Sequence, residues 1–227
     1  MDLKVALSEE QINCARRIYD GIPQMKQADA ALKKLREKMP GFSIEECLLK
    51  AGAINSLYGT QILAIVQMGR HIADIFTNPH KPVGVGLVES IAKLPGKPNF
   101  ISFASKFCHF FIDEEKYPLY DEATREAMKL HLGNKKYLAN EQHPYKAFYE
   151  NFIRLRNLAG LQCGTRDLDY YLWITGMYMR WRKERNNKRP RISRDLLQLF
   201  QKPTKTQIKE LDALLPSILD RAFKGEL

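Results

Sequence analysis

Apolar residues recur three and four positions apart along almost the whole chain and never settle into strict alternation, a pattern that predicts helices and no strands. Ser8 with Gln11 forms a capping box that opens a first helix to about Tyr19, broken by Gly21 and Pro23. A second run, Gln24 to Met39, is rich in Ala, Lys and Leu and stops at Pro40-Gly41. Ser43 with Glu46 makes another capping box, opening a helix through Cys47, Leu48, Leu49 and Ala53. Residues 54 to 61, INSLYGTQ, are expected to interrupt it with a turn at Gly59 and a cap at Thr60, before an apolar run from Ile62 to Phe76.

Asn78-Pro79 and Lys81-Pro82 mark a loop, and Val83 to Lys93 a short helix. Pro95 ends that helix because it cannot donate to the ladder and disfavours helical geometry in Leu94, while Gly96 allows the positive φ of a tight turn. Asn99 is placed to cap the next helix. Spaced at about 100° per residue, Ser102, Ser105, Lys106 and His109 share an arc of roughly 100° on a helix otherwise filled by Phe, Ala, Ile and Cys. Such a stripe needs a partner or a cavity. After an acidic loop and Asp121, helices are expected over Glu122 to Leu132, from Pro144 through Phe148, Phe152 and Leu155, over the aromatic run Arg166 to Trp181, and over Ser193 to Phe200 and Thr204 to Phe223, the last with a Thr204/Gln207 capping box.

Composition narrows the class. With 227 residues, 44% hydrophobic and 27% charged, the chain can bury a sizeable core across residues 1–227, as one domain or two closely packed lobes. A net charge of +10 and a pI near 9.4 point to a polyanionic partner, nucleic acid before membrane, since no long basic amphipathic segment is present. Cys14, Cys47, Cys108 and Cys163 are far apart and form neither a CxxC pair nor a metal-ligand cluster, so free thiols and no metal are expected. No signal-like or membrane-length apolar run occurs, and a cytoplasmic location is expected.

Three stretches carry candidate chemistry. Asn55, Tyr58 and Gln61 offer hydrogen bonds and a stacking face, or else satisfy a helix-helix corner. The stripe offers Lys106 and His109, and a satisfied helix histidine is the plain alternative for His109. From Arg180 to Arg194 the chain is strongly basic, with Arg185, Lys188 and Arg189 beside aromatic residues, suiting phosphate contact or a solvated linker. Arg154 and Arg156 read as a solvated face.

In order, these pieces resemble the helix-hairpin-helix DNA glycosylases related to endonuclease III and the 8-oxoguanine glycosylases. Leu94-Pro95-Gly96 is similar to the family's L-P-G-x-G hairpin, and Tyr117-Pro118-Leu119-Tyr120-Asp121 to the segment bearing its essential aspartate. Ile54 to Thr60 resembles the stretch whose glutamine approaches the gap left by an extruded base, and Leu172 to Tyr178 a late W-L-x-x-x-G helix. The resemblance covers roughly residues 43 to 180 and departs in places. Lys97-Pro98 replaces the hairpin's second glycine, and no cysteine cluster follows Trp181, so the iron-sulfur loop of some relatives is absent. The lysine that forms a Schiff base in bifunctional relatives would fall near Phe100 or Ser102, leaving Lys106 one turn later as a displaced nucleophile, a phosphate contact or a stripe residue paired to Asp121.

The resemblance implies an all-α, two-lobed glycosylase-like fold and a monofunctional enzyme acting on double-stranded DNA as a monomer, nucleoid-associated when bound and needing no cofactor. Asp121 would be the catalytic carboxylate, with an N-cap at the start of the next helix as the plain alternative or as what fixes it in place, and Lys106 the second catalytic candidate. Tyr58 would fill the gap, with Asn55 and Gln61 nearby. Gly96, Lys97, Ser102, His109, Trp173, Arg185, Lys188 and Arg189 would contact DNA or base. A short segment between Tyr58 and the hairpin implies a reduced lobe and a more open pocket, compatible with a bulky modified base. The alternatives are a non-catalytic helical DNA-binding module and an all-helical interaction protein.

Overall fold

The computed structural model describes residues 2–184 and 194–214, which hold eleven α-helices and no strand. They are α1 (Glu9–Asp20), α2 (Pro23–Lys38), α3 (Ile44–Tyr58), α4 (Ile65–Thr77), α5 (Val85–Ala92), α6 (Ile101–Phe111), α7 (Glu122–Leu132), α8 (Pro144–Leu158), α9 (Thr165–Glu184), α10 (Arg194–Gln201) and α11 (Lys205–Leu214). The capping boxes of Ser8 with Gln11 and Ser43 with Glu46 form as expected, and Thr204 with Gln207 makes the same reciprocal pair.

Two boundaries differ from expectation. Helix α3 does not stop near Ala53 but runs on through Tyr58, because Ile54 is fully buried on its inner face and outweighs the weak propensity of Asn55 and Ser56. It ends at Gly59, whose φ of 57° is the left-handed cap geometry. Helix α4 starts at Ile65 rather than Ile62, and Thr60 is no cap for it: the Thr60 hydroxyl donates to Asn55 Oδ1 at 2.9 Å. Likewise Asn99 does not cap α6. Phe100 precedes its first turn, and the Phe100 amide closes the hairpin onto Ala92 O at 3.0 Å.

The chain divides into two compact units. One comprises Met1–Lys26, Asp121–Leu138 and Asn151–Leu227; the other comprises Gln27–Tyr120 and Ala139–Glu150. In the first, α9 packs on α7 and α1, and α11 on α1, around Ile12, Ala15, Ile18, Ala127, Met128, Leu168 and Leu172. The segment before α1 is tied to the end of α7: Lys4 N donates to His131 O at 2.7 Å, and His131 Nδ1 to Val5 O at 3.0 Å. Asn151 brackets Leu138, donating to its carbonyl at 2.8 Å and accepting from its amide at 3.0 Å. Arg154, expected on a solvated face, is half-buried here and donates to Asn151 Oδ1 at 2.9 Å and to the Lys136 carbonyl.

In the second unit α3 packs on α4 and α6, and α5 on α6, around Ile54, Ile72, Val88, Ile91, Phe103 and Phe107. Glu89 of α5 is buried and caps the start of α8, accepting from Lys146 N at 3.2 Å and from His143 Nδ1 at 2.8 Å. Within this frame the hairpin between α5 and α6 is closed by its own backbone, and the segment 117–120 is held by side chains of its own unit.

Candidate functional site

The hairpin turns as its sequence dictates. Lys97 N donates to Leu94 O at 3.1 Å, and Gly96 has φ 69°, the pattern of a Pro-Gly turn that needs a positive φ at its third residue. Gly96 and the Lys97 side chain are exposed, as is Lys93, so two cations flank the turn.

The polar stripe of α6 meets the chain that leads to Asp121. Ser105 Oγ donates to Ser102 O and accepts from Tyr120 N, both at 3.0 Å. His109 Nδ1 donates to Tyr117 O at 2.8 Å, and Tyr145 OH to Pro118 O at 3.0 Å. Ser105 and His109 have no solvent exposure. His109, expected as a candidate contact to DNA, therefore serves the backbone of residues 117–120 instead, because a buried carbonyl needs a donor. Lys106 is 5% exposed; its ammonium donates to Ser102 Oγ at 2.7 Å and to Ser102 O at 3.4 Å. Ser102 is thus Lys106's partner, half-exposed at the outer end of the stripe.

Asp121 belongs to the other unit and begins α7. Its Oδ1 accepts from Ala123 N at 2.8 Å, so the carboxylate is the N-cap of α7. Its Oδ2 has no hydrogen bond or ion pair among the described residues, and the side chain is half-exposed. One oxygen is fixed and the other is open, as a carboxylate needs if it is to act on something outside the fold.

The 54–64 corner is a braced loop. Asn55 accepts from Ile62 N at 2.8 Å and from Thr60, and donates to Ile62 O at 3.1 Å, so this expected base contact is spent on its own loop. The Tyr58 hydroxyl donates to Asp29 Oδ1, and its ring rests 5.2 Å from that of Phe110. Phe110 and Phe111 also line a cleft of about 490 Å³ with Lys33, Arg36, Glu37, Pro40 and Glu114. Gln61 is exposed and has φ 56°, a left-handed conformation that a residue other than glycine adopts at a cost of order 1 kcal/mol. Beside it Leu63 is completely exposed, with Leu57 and Val66 partly so. The periodicity reading missed Leu63, which it placed on a helix; its signal is tertiary.

Trp173 lies half-buried on α9, its ring set edge-on to that of Tyr19 with the centroids 6.0 Å apart. Arg185, Lys188 and Arg189 lie outside the described residues. Lys50 was also missed. It is 1% exposed, donates to Gly41 O and sits 4.3 Å over Phe42, and burial lowers its pKa from the ordinary lysine value. The four thiols are unpaired, and burial raises the pKa of each, to about 11 for Cys14, Cys47 and Cys163. Among the described residues no group of acidic, histidine and cysteine side chains could hold a metal, and no helix is long and apolar enough to cross a membrane.

Comparison with known proteins adds one match. A family model described as an N-terminal domain matches residues 10–117, a little less than half of the chain and ending before Asp121. No curated protein and no solved structure matches.

Proposed function

We propose that the protein is a monofunctional DNA glycosylase that hydrolyses the bond between deoxyribose C1′ and a damaged or modified base in double-stranded DNA. Cleavage builds positive charge on the sugar, which a fixed carboxylate stabilises while accepting the proton of the attacking water. The hydroxide oxygen bonds to C1′, the C1′–N pair leaves with the base, and the water's proton is passed to the base. The observation that carries the reading is Asp121, with Oδ1 locked on the Ala123 amide and Oδ2 without a partner among the described residues. The chain's +10 charge and the exposed Lys93 and Lys97 at the hairpin suit the phosphate backbone. Leu63, at the tip of the loop braced by Asn55, and Gln61 are better placed than the tethered Tyr58 to enter a gap in the base stack.

The test is incubation of the protein with genomic DNAs of varied modification, identification of released bases by mass spectrometry and assay of alkali-labile sites. Asp121→Asn, which keeps an N-cap, should lose base release by at least about 100-fold while retaining its helix content. Absence of release from every substrate would sink the proposal. The burial of Lys106 and His109 favours the second reading, a DNA-binding module without chemistry. It expects salt-dependent duplex affinity that Asp121→Asn leaves unchanged and no base release.

A further inference from the structure

Within the Asp121 unit, α9 approaches the first turn of α7 more closely than any side chain allows. A Cβ at Gly176 would lie 2.0 Å from the carbonyl oxygen of Ala123, 2.4 Å from its carbonyl carbon and 2.8 Å from its Cα. These are backbone atoms and cannot swing aside, so the helices touch there only because residue 176 is glycine. A glycine inside a 20-residue helix is disfavoured by about 1 kcal/mol relative to alanine, and only the close approach accounts for it here. Ala123 is the residue whose amide holds Asp121 Oδ1. One turn further along α9, Arg180 donates to Glu122 Oε2 at 2.8 Å. Both residues that follow Asp121 are thus held by one face of α9, one through its backbone and one through its side chain.

We infer that Gly176 and Arg180 are positioning residues for the Asp121 carboxylate: the glycine sets how deep α7 sits, and the arginine sets the rotation of its first turn. Neither touches the reacting atoms. A methyl group at residue 176 forces the start of α7 outward, and a shift near 1 Å in a catalytic group costs on the order of 100-fold in rate. The Arg180 pair is largely exposed on the Glu122 side, 62%, so its worth lies in orientation and little in stability.

This inference rests on the glycosylase reading, and the experiment separates the two. Base release and amide hydrogen exchange at Ala123 are measured for the wild type, Gly176→Ala, Arg180→Ala, Arg180→Lys and Leu199→Ala. Leu199, a core residue of α10 in the same unit, serves as a control that lowers stability only. Gly176→Ala is expected to lower kcat about 10- to 100-fold with KM little changed and to speed exchange at Ala123. Arg180→Ala does the same more weakly and at wild-type thermal stability, Arg180→Lys recovers part of the loss, and Leu199→Ala lowers thermal stability without lowering kcat. Should Gly176→Ala fail to fold, the two Arg180 variants decide. Wild-type kcat and wild-type Ala123 exchange in both Gly176→Ala and Arg180→Ala, or a kcat loss in Leu199→Ala as large as theirs, would overturn the inference. A wild type that releases no base removes the glycosylase reading alone; the exchange rates then decide whether α9 holds the Asp121 turn.

Discussion

His131 makes the fold sensitive to mild acid. The imidazole has no solvent exposure; Nδ1–H donates to Val5 O at 3.0 Å, which leaves Nε2 as the acceptor for Tyr171 OH, also at 3.0 Å. The bond from Tyr171 therefore requires the neutral ring, while Val5 O accepts from Nδ1–H in either protonation state. Burial lowers its pKa from 6.5 to about 4, against a smaller upward pull from the Val5 carbonyl. Because the folded value lies below the unfolded one, the unfolded chain takes up the proton first on acidification. The contribution is whole above pH 6.5, erodes as pH falls, and is gone near pH 4, a loss of roughly 3 kcal/mol. That is a large part of the ~5–15 kcal/mol typical of a folded domain. Urea unfolding from pH 7.5 to 4, in the wild type and in His131→Gln, isolates the effect, since glutamine can donate and accept but does not titrate. The wild type should lose about 3 kcal/mol more than the variant across that window, and NMR should find the ring neutral at pH 5.5. Parallel pH profiles for the two proteins, or a ring protonated at pH 5.5, would refute the reasoning.

Two substitutions probe the hairpin unit. Asn55→Ala removes three hydrogen bonds to Thr60 and Ile62 and should cost about 2 kcal/mol in urea unfolding, raise amide exchange at Ile62 and weaken duplex binding. Unchanged exchange would mean that the loop is not braced by this residue. Gly69→Ala puts a Cβ 2.6 Å from Leu48 Cδ2 and 3.1 Å from Leu48 Cα, so α4 must move off α3; a loss of about 1–3 kcal/mol is expected, read as a lower Tm.

The glycosylase reading stands on residues that were visible before the structure, but their roles changed unevenly. Asp121 was legible as an N-cap, since an aspartate before a helical run carries that signal by itself; its reading as a candidate carboxylate came from the family resemblance. The stripe of Ser102, Ser105, Lys106 and His109 was legible as a stripe; what it faces was not. Period gives the direction a side chain points, and the partner at the end of that direction comes from residues 117–120 folding back on it. The tethering of Tyr58 depends on Asp29, which lies 29 residues earlier in the chain.

By itself, then, the sequence determined what is local: eleven helices in outline, three Ser or Thr caps, the Pro-Gly turn with its positive φ, and a basic chain without paired thiols. Each of these rests on backbone sterics, hydrogen bonding within a few residues, or composition. Only the tertiary structure decided that α3 continues to Tyr58, that Asn55 is consumed by its own loop, that Leu63 is fully exposed, and that Gly176 is the contact on which the Asp121 turn rests. Those outcomes depend on which distant segment fills the space beside a side chain, and neither propensity nor spacing encodes that.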